Sequence, residues 1–416
     1  MKPLLPAEIF GNTRKAVGRA DLAAAETIIA AVRRDGRRAL MEYGQKFGDL
    51  GPGGQLVYGP DELAAVLAGL PADQRAVLER TAERIARFAR AQREILKDLN
   101  ISVQGGRAGW RFFPVGRAGC YAPGGRFPLP SSVLMTSVTA RVAGVGEIWI
   151  ASPRPGDLTL AAAAIGGADA VVAAGGAQAI AALAYGIEGV PRCDVIVGPG
   201  NRFVTAAKQL VTGQVGIDML AGPSELLILA DGEAEPATIA ADLLAQAEHD
   251  PDAVTILVTT DMNLGDAVNR ELERQLDDLP TAEIAEYALG NGGVVTALDL
   301  DQAVALCNAF APEHLELIVA DPDGVADRLN CYGTLFLGGG SAEVLGDYGA
   351  GPNHVLPTGG TARFSGPLSV QNFLVGRTWL RMEPGPEADD LARDAIALAR
   401  IEGLEGHARS AEHRLG

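Results

Sequence analysis

Short apolar segments alternate with helical stretches from about residue 110 to residue 340, and this rhythm constrains the fold more than any other feature. The segments read EIWIASP, AVVAAGG, DVIVGPG, LLILAD, TILVTTD, GVVTAL, LELIVAD and TLFLGGG. Runs without polar alternation are typical of parallel strands that are covered by helices on both faces. The sequence therefore predicts an α/β fold with mostly parallel, doubly wound sheets.

A strand–helix–strand pattern occurs on each side of Gly222 and Pro223. This weak internal similarity predicts two related Rossmann-like modules, with helical segments at both ends of the chain. We expect the N-terminal segment to pack on the second module and the C-terminal arm, which follows Pro384, to dock on another body. The predicted parts are residues 1–110 (helical), 111–221 (first module), 222–383 (second module) and 384–416 (C-terminal arm).

Composition narrows the class of protein. With 48% hydrophobic residues, the 416-residue chain is too apolar to be disordered. Its net charge of −17 makes nucleic acid and anionic membranes poor partners. The four cysteines contain no CxxC motif, and we find neither a signal peptide nor an apolar window of membrane length. We therefore expect a cytoplasmic protein that acts on a small molecule.

One of the five histidines, His249, stands in the segment LLAQAEHD. Pro236 suits the first turn of a helix, and Pro251 disfavours helix before it, so the sequence predicts a helix over about residues 236–249. Gln246 and His249 then share a face of its last turn, where exposed carbonyl groups favour a cation. A metal site and a surface histidine that simply interacts with the helix dipole both fit this pattern.

Two further segments place polar residues in unusual surroundings. Glu313 and His314 follow Pro312, at the expected start of a new helix or strand, where they could line two walls of one cleft. The segment LGDYGAGPNHVLPTGG forms a long glycine-rich loop that carries Asp347 and His354. Long loops of this type commonly carry functional residues, although a merely tight loop would look similar.

Seven sequence blocks, in this order, resemble the histidinol dehydrogenase family over nearly the whole chain. They are PGGRFPLPSSVLM, GPGN, AGPSE, AQAEHD, APEHLEL, GDYGAGPNHVLPTGGTAR and EGLEGHA. The resemblance implies a homodimer with one zinc ion per subunit. It also implies the oxidation of L-histidinol, through bound L-histidinal, to L-histidine with two NAD molecules, at the end of histidine biosynthesis.

The resemblance also implies roles for individual residues. The implied zinc ligands, which also contact the substrate, are Gln246, His249, Asp347 and His407. The other implied substrate contacts are Ser224, His314 and Glu402. His314 corresponds to the general base, and Glu313 to the residue that activates water on the aldehyde. The implied NAD contacts are Tyr121, Gln178 and Asn201, beside glycine turns whose amides could approach the pyrophosphate. The C-terminal arm, with Glu402 and His407, is expected to complete the partner's active site.

Several residues and alternatives stay open at this point. His354 matches no implied ligand and is interpreted as supporting the site or packing in its loop. Arg126 could contact a phosphate or a sulfonate, and Cys120 is interpreted as a small buried side chain rather than a nucleophile. A relative that oxidises another small polar alcohol, such as a sulfopropanediol, is one alternative. A zinc hydrolase in which Glu313 activates metal-bound water is another, from a different class.

Overall fold

The structure is a computed structural model that describes residues 1–10, 17–51, 53–124 and 128–416. These residues form two compact units. The larger unit consists of Met1–Arg90 and Val115–Phe373, and the smaller unit consists of Ala91–Pro114 and Leu374–Gly416.

The described residues contain fourteen strands, seventeen α-helices and two short 3-10 helices, Thr361–Arg363 and Val370–Phe373. The strands are β1 (Val57–Tyr58), β2 (Leu99–Val103), β3 (Gly106–Pro114), β4 (Arg117–Tyr121), β5 (Glu147–Ala151), β6 (Ala170–Val172), β7 (Val195–Val197), β8 (Gly216–Ile217), β9 (Glu225–Ala230), β10 (Val254–Thr259), β11 (Gly293–Thr296), β12 (His314–Ile318), β13 (Thr334–Leu337) and β14 (Leu374–Met382). The helices are α1 (Pro6–Phe10), α2 (Arg19–Asp35), α3 (Arg37–Lys46), α4 (Pro60–Gly69), α5 (Ala72–Ile95), α6 (Pro130–Ala143), α7 (Asp157–Ile165), α8 (Gly176–Tyr185), α9 (Arg202–Val211), α10 (Pro236–Ala247), α11 (Leu264–Leu276), α12 (Ala282–Leu289), α13 (Leu300–Phe310), α14 (Pro322–Ala326), α15 (Glu343–Asp347), α16 (Pro386–Ile401) and α17 (Glu405–Glu412).

The first sheet has the order β1-β6-β5-β4-β7-β8, and every neighbouring pair except β1–β6 is parallel. Helices α8 and α9 cover one face with an alanine-rich surface, against which Ile28, Ile29 and Val32 of α2 pack. Helix α4 packs on α7. The expectation that the N-terminal region packs on the second module is therefore wrong for α2 and α4. The aliphatic stripe of α2 fits the small side chains of the first module; among the N-terminal helices, α1 contacts α13 of the second.

The second sheet is parallel throughout, in the order β11-β10-β9-β12-β13. Leu226 and Ile228 of β9 face a core formed with α10, α11 and α12. Leu227 and Leu229 face the opposite core, which includes residues of α1 and α13. Side chains alternate between the two faces of a strand, so a strand that is apolar throughout requires helices on both sides.

The smaller unit is a three-stranded antiparallel sheet, β14-β3-β2, with helices α16 and α17 packed on each other. The start of α16 lies on the β2–β3 turn, where a Cβ on Gly105 (φ +71°) would meet the Cα of Ala388 at 2.5 Å. This unit exposes many large apolar side chains: Leu99, Ile101, Trp110, Phe113, Leu380, Met382, Leu398 and Ile401.

The predicted α/β class with two mostly parallel, doubly wound modules is confirmed. The residue boundaries of the four predicted parts stay a prediction. Among the described helices, none combines the length and the apolar character that crossing a membrane requires.

Candidate active site

The candidate catalytic residues lie where β9 and β12, neighbours in the second sheet, begin. Ser224 immediately precedes β9, and Glu313 immediately precedes β12, whose first residue is His314. The parallel pairing places the amino ends of these two strands side by side. Residues from distant parts of the sequence thereby meet at the amino edge of the sheet.

Helix α10 brings Gln246 and His249 to this same edge. The helix follows β9 and runs back along the sheet, so its carboxyl end lies at the amino edge. It ends at Ala247, two residues before the predicted end, and the His249 amide donates to the Gln246 carbonyl at 3.4 Å. Gln246 is completely buried, whereas the His249 side chain is 42% exposed. His249 therefore lies just beyond the helix rather than in its last turn, and the shared face of these two residues stays a prediction.

Asp347, at the end of α15, lies between two histidines. Its Oδ2 is 3.5 Å from Nε2 of His249, and its Oδ1 is 3.8 Å from Nε2 of His314. Burial raises the pKa of Asp347, but the hydrogen bond from His249 and the neighbouring imidazoles outweigh it and lower the pKa to about 2. The same hydrogen bond raises the pKa of His249. Asp347 is therefore the charged carboxylate of the site.

His314 is a buried, neutral imidazole. Its Nδ1 lies 3.1 Å from the carbonyl oxygen of Glu225, which can only accept, so Nδ1 carries the proton. Burial lowers the pKa of His314 to about 4. Its Nε2 is buried and has no hydrogen-bond partner within the described part of the chain. The free lone pair of Nε2 can accept a proton; burial opposes the resulting positive charge, and the Asp347 carboxylate favours it.

Glu313 is held by its neighbours. Its Oε2 accepts hydrogen bonds from the Ser224 hydroxyl at 2.7 Å and from the Glu225 amide at 2.8 Å. Burial raises the pKa of Glu313 well above its usual value, and these two donors oppose that shift. Glu313 and His314 lie beside each other, with 3.8 Å between Glu313 Oε2 and His314 Nδ1.

Sequence reasoning missed Glu343, at the start of α15. One ligand atom each from His249, Glu343 and Asp347 lie within 4.8 Å of one another. Glu343 is 3% exposed, and its Oε2 finds no hydrogen-bond partner among the described residues. The available signal was its position four residues before Asp347, since residues at i and i+4 share one helix face.

His354 supports Asp347 from its own loop. Its Nδ1 lies 2.9 Å from the backbone oxygen of Asp347, and its Nε2 lies 3.2 Å from the Ser132 hydroxyl. These contacts agree with the supporting position expected for it.

Glu402 and His407 belong to the smaller unit. Glu402 follows the end of α16, His407 lies in the first turn of α17, and both are exposed. The other candidate ligands belong to the larger unit.

The candidate NAD contacts lie at the carboxyl edge of the first sheet. Tyr121 ends β4, Gln178 is in the first turn of α8 after β6, and Asn201 follows β7. Strands β5 and β6 lie on one side of β4, and β7 and β8 lie on the other, so the gap between β4 and β7 is a topological switch point, the place where ligands of such sheets bind. Asn201 caps α9, because its side chain accepts from the amides of Phe203 and Val204.

A buried ion pair fixes the glycine turn after β7. The Lys208 ammonium donates to an oxygen of Asp218 and to the carbonyl of Gly198 at 3.0 Å. The other Asp218 oxygen accepts from the Gly198 amide at 2.7 Å. Gly198 (φ +112°) approaches β4 so closely that a Cβ would lie 2.0 Å from the Tyr121 carbonyl oxygen. Only glycine fits there without a shift.

The expectation that glycine-turn amides approach a pyrophosphate is wrong for three of them, because they already donate within the protein. The Gly175 amide donates to Asp49 at 2.9 Å and the Gly176 amide to the Tyr121 hydroxyl at 3.2 Å. The Gly198 amide is occupied by Asp218, as described above.

Two remaining sequence expectations can be placed. Cys120 is fully buried, and burial raises the pKa of its thiol to about 12, which agrees with its interpretation as a packed side chain. Arg126 lies outside the described residues.

Comparison with known proteins gives one consistent family. A sequence profile described as histidinol dehydrogenase matches residues 13–415. A histidinol dehydrogenase of Methylococcus capsulatus is 48% identical over 395 residues, covering 93% of this chain and 90% of its own length. One from Thermus thermophilus is 52% identical over 349 residues, which is 83% of each chain. A crystal structure of histidinol dehydrogenase from Elizabethkingia anophelis has a TM-score of 0.92 and 31% identity, covering 100% of this chain and 98% of that one.

Proposed function

This chain belongs to the histidinol dehydrogenase family, and we propose that it oxidises L-histidinol, through bound L-histidinal, to L-histidine. The family is one of NAD-dependent oxidoreductases, and the proposed reaction ends histidine biosynthesis. The observation that carries the proposal is the buried Nε2 of His314, a free proton acceptor that lies 3.8 Å from the Asp347 carboxylate.

The residues of the second module fit a zinc ion. Gln246 offers an amide oxygen, His249 an imidazole and Asp347 a carboxylate, which are ligands that zinc accepts. The carboxyl end of α10 adds exposed carbonyl groups that favour a cation. A bound zinc ion would hold the imidazole and amine of histidinol, while NAD accepts the hydride in each oxidation. We assign His407 of the partner subunit as the fourth protein ligand.

The side chains of the chain itself perform the proton transfers. Nε2 of His314 takes the proton of the alcohol in the first oxidation and a proton of the aldehyde hydrate in the second. Glu313, adjacent to His314, takes a proton from water as the water adds to the aldehyde. Burial raises the pKa of Glu313, so its carboxylate holds a proton more strongly than that of an exposed glutamate. Ser224 holds Glu313 in place and is the proposed contact to substrate.

Tyr121, Gln178 and Asn201 are the proposed NAD contacts. Helices α8 and α9 direct their amino ends toward the carboxyl edge of the first sheet, which favours an anionic dinucleotide there. Tyr121 and Gln178 are 3% and 1% exposed, respectively, so both side chains are held in fixed positions.

The active site is proposed to be shared within a homodimer. The smaller unit exposes apolar side chains from β2, β3, β14 and α16, a composition that marks an interaction surface. Glu402 and His407, exposed on that unit, would complete the site of the other subunit. Because a two-fold contact is reciprocal, each subunit would complete the other.

The proposed function is tested by mixing the purified protein with histidinol and NAD and following NADH absorbance. We expect two NADH for each histidinol consumed, with histidine as the product. One NADH with released histidinal would contradict the four-electron assignment. No NADH with histidinol, but NADH with a sulfopropanediol, would favour the related alcohol dehydrogenase instead. A zinc hydrolase would form no NADH with either alcohol.

A further inference from the structure

Asp49, which follows α3, contacts the candidate NAD site. One of its carboxylate oxygens, Oδ2, accepts a hydrogen bond from the Gly175 amide at 2.9 Å. The same oxygen accepts a second hydrogen bond from Nε2 of Gln178, also at 2.9 Å. Asp49 is half-buried, and burial raises its pKa while these two hydrogen bonds lower it.

The two hydrogen bonds determine which way the Gln178 amide faces. A carboxylate oxygen that already accepts from a backbone amide can only accept again, so it requires the NH2 group of Gln178. The opposite orientation would bring two acceptor oxygens together. Gln178 therefore directs its Oε1 away from Asp49.

The Oε1 atom of Gln178 is a buried acceptor that is not used within the protein. It has no hydrogen-bond partner in the described segments, and Gln178 is only 1% exposed. A Cβ on Gly176 (φ +61°) would lie 2.8 Å from it, so the space left by this glycine borders the acceptor. Leaving a buried acceptor unmatched costs stability, which points to a donor supplied by a ligand.

We propose that Asp49 is a positioning residue for the dinucleotide: it orients Gln178 so that Oε1 accepts a hydrogen bond from a donor group of the cofactor. This inference rests on the proposed function, in which Gln178 contacts NAD. The donor is either a ribose hydroxyl or the NH2 of the nicotinamide carboxamide. Either donor would form its hydrogen bond with the same acceptor, Oε1 of Gln178.

The test starts with Asp49→Ala. The variant removes the oxygen that accepts from the Gly175 amide and from Nε2 of Gln178, so the Gln178 amide is no longer held in one orientation. Gln178 can then present its NH2 group to a donor on the cofactor. We expect the KM for NAD to rise about tenfold, with kcat changed by less than about twofold.

Asp49→Asn should keep binding. Both hydrogen bonds end on one oxygen of Asp49, and the amide oxygen of asparagine can accept both in its place. We expect the KM for NAD to stay within about threefold of the wild-type value. An Asp49→Asn variant as weak as Asp49→Ala would mean that the negative charge matters rather than the orientation of Gln178, and it contradicts the proposal.

Asp169→Ala is the matched control. One oxygen of Asp169 likewise accepts a backbone amide, that of Ile148, and a side-chain nitrogen, that of Arg141. Asp169, however, precedes β6 at the amino edge of the first sheet. Thermal unfolding of both alanine variants measures the loss of a carboxylate contact. If Asp49 only caps α8, both variants lose stability and neither changes the KM for NAD, which overturns the proposal.

A cofactor analogue identifies the donor. The 3-acetylpyridine analogue of NAD has a methyl group in place of the carboxamide NH2. If that NH2 is the donor, Asp49→Ala no longer raises the KM with the analogue; if a ribose hydroxyl is the donor, the tenfold rise persists. NADH fluorescence on binding, without histidinol, separates the hypotheses: a wild-type protein that does not bind NADH refutes the proposed function. Wild-type binding with an unaffected Asp49→Ala variant refutes the role of Asp49.

Discussion

The two modules share an architecture but place their candidate sites at opposite edges of their sheets. In the first module Tyr121, Gln178 and Asn201 lie at the carboxyl edge, where α8 and α9 begin. In the second module the site lies at the amino edge, where β9 and β12 begin and α10 ends.

This difference indicates that the helix dipole makes the two edges of such a sheet suitable for ligands of opposite charge. Helix amino ends favour anions, so the carboxyl edge suits a dinucleotide. The carboxyl end of α10 favours a cation, so the amino edge suits a metal ion with its ligands. Both sites contain buried polar atoms without a partner among the residues described. They are Gln178 Oε1 in the first module, and Gln246 Nε2 and His314 Nε2 in the second.

Removal of the metal should have the largest effect among the tests of this difference between the two sites. Chelation should reduce turnover to below about 1% of its initial value, with recovery on adding zinc, because the second module supplies the proposed ligands. The variant His249→Asn should lose metal affinity in a zinc titration. NADH binding, measured by fluorescence, should persist in both cases. An active enzyme without bound metal, or loss of NADH binding on chelation, would break the separation of the two sites.

The proton acceptors of the second module should separate the two oxidations. His314→Asn should slow both steps by on the order of a thousandfold, because one imidazole serves each. Glu313→Gln should slow aldehyde oxidation about a hundredfold and alcohol oxidation far less. Single-turnover measurements that start from histidinol and from histidinal give the two rates. Equal effects of Glu313→Gln on both steps would contradict its assignment to water activation.

Subunit complementation tests whether the amino-edge site needs the smaller unit of a partner. The variants His249→Asn and His407→Asn should each fold and be inactive. When they are co-expressed, about half of the dimers are mixed, and each mixed dimer has one intact site, so activity should return to roughly a quarter of wild type. If the co-expressed sample stays inactive, each chain completes its own site.

The close approach of Gly198 to the Tyr121 carbonyl should make the stability of the first module sensitive to one added methyl group. Gly198→Ala should lower the free energy of unfolding by about 3 kcal/mol, since the new Cβ meets the Tyr121 carbonyl at 2.0 Å. Gly213→Ala is the control, because Gly213 also has positive φ (+91°) but no described atom within 4 Å of the added Cβ. That control should lose only about 1 kcal/mol. If chemical denaturation shows equal losses of unfolding free energy for the two variants, the cause is backbone strain and not the close contact with the Tyr121 carbonyl.

The smallest effect concerns a buried acid behind the second site. Burial, followed by the charge of Asp242, raises the pKa of Glu316 to about 8. The folded protein therefore binds a proton that the unfolded chain releases, so this contribution to stability is lost as pH rises from about 5 to 8. In metal-free protein, Glu316→Gln should raise stability by at least about 1 kcal/mol more at pH 8 than at pH 5. A gain of equal size at both pH values would exclude the ionisation of Glu316 as the cause.

Local patterns in the sequence predicted much of this arrangement. The apolar runs indicated the parallel strands, and the spacing of Gln246 and His249 placed both at the end of α10. These features depend on neighbouring residues, so a single sequence contains them. The resemblance supplied the residues that no local pattern connects, such as Asp347 and His314.

Long-range packing was not predictable in this way. Strands β3 and β14 pair although about 260 residues separate them, and the helical pattern of α2 did not show which module it would cover. The contact of Asp49 with Gln178 joins residues that are 129 positions apart. The amino-edge site was also unexpected, because the general rule for such sheets places ligands at the carboxyl edge.

The ion pair of Lys208 and Asp218 has a consequence for cofactor exchange. If two dinucleotides act on each histidinol, the first must leave and the second must enter while the aldehyde stays bound. Opening the turn at Gly198 would separate two charges that are 3% and 0% exposed, which is costly in a protein interior. The floor of the proposed cofactor crevice would therefore stay in place between the two half-reactions, and the second dinucleotide would meet the same surface that released the first.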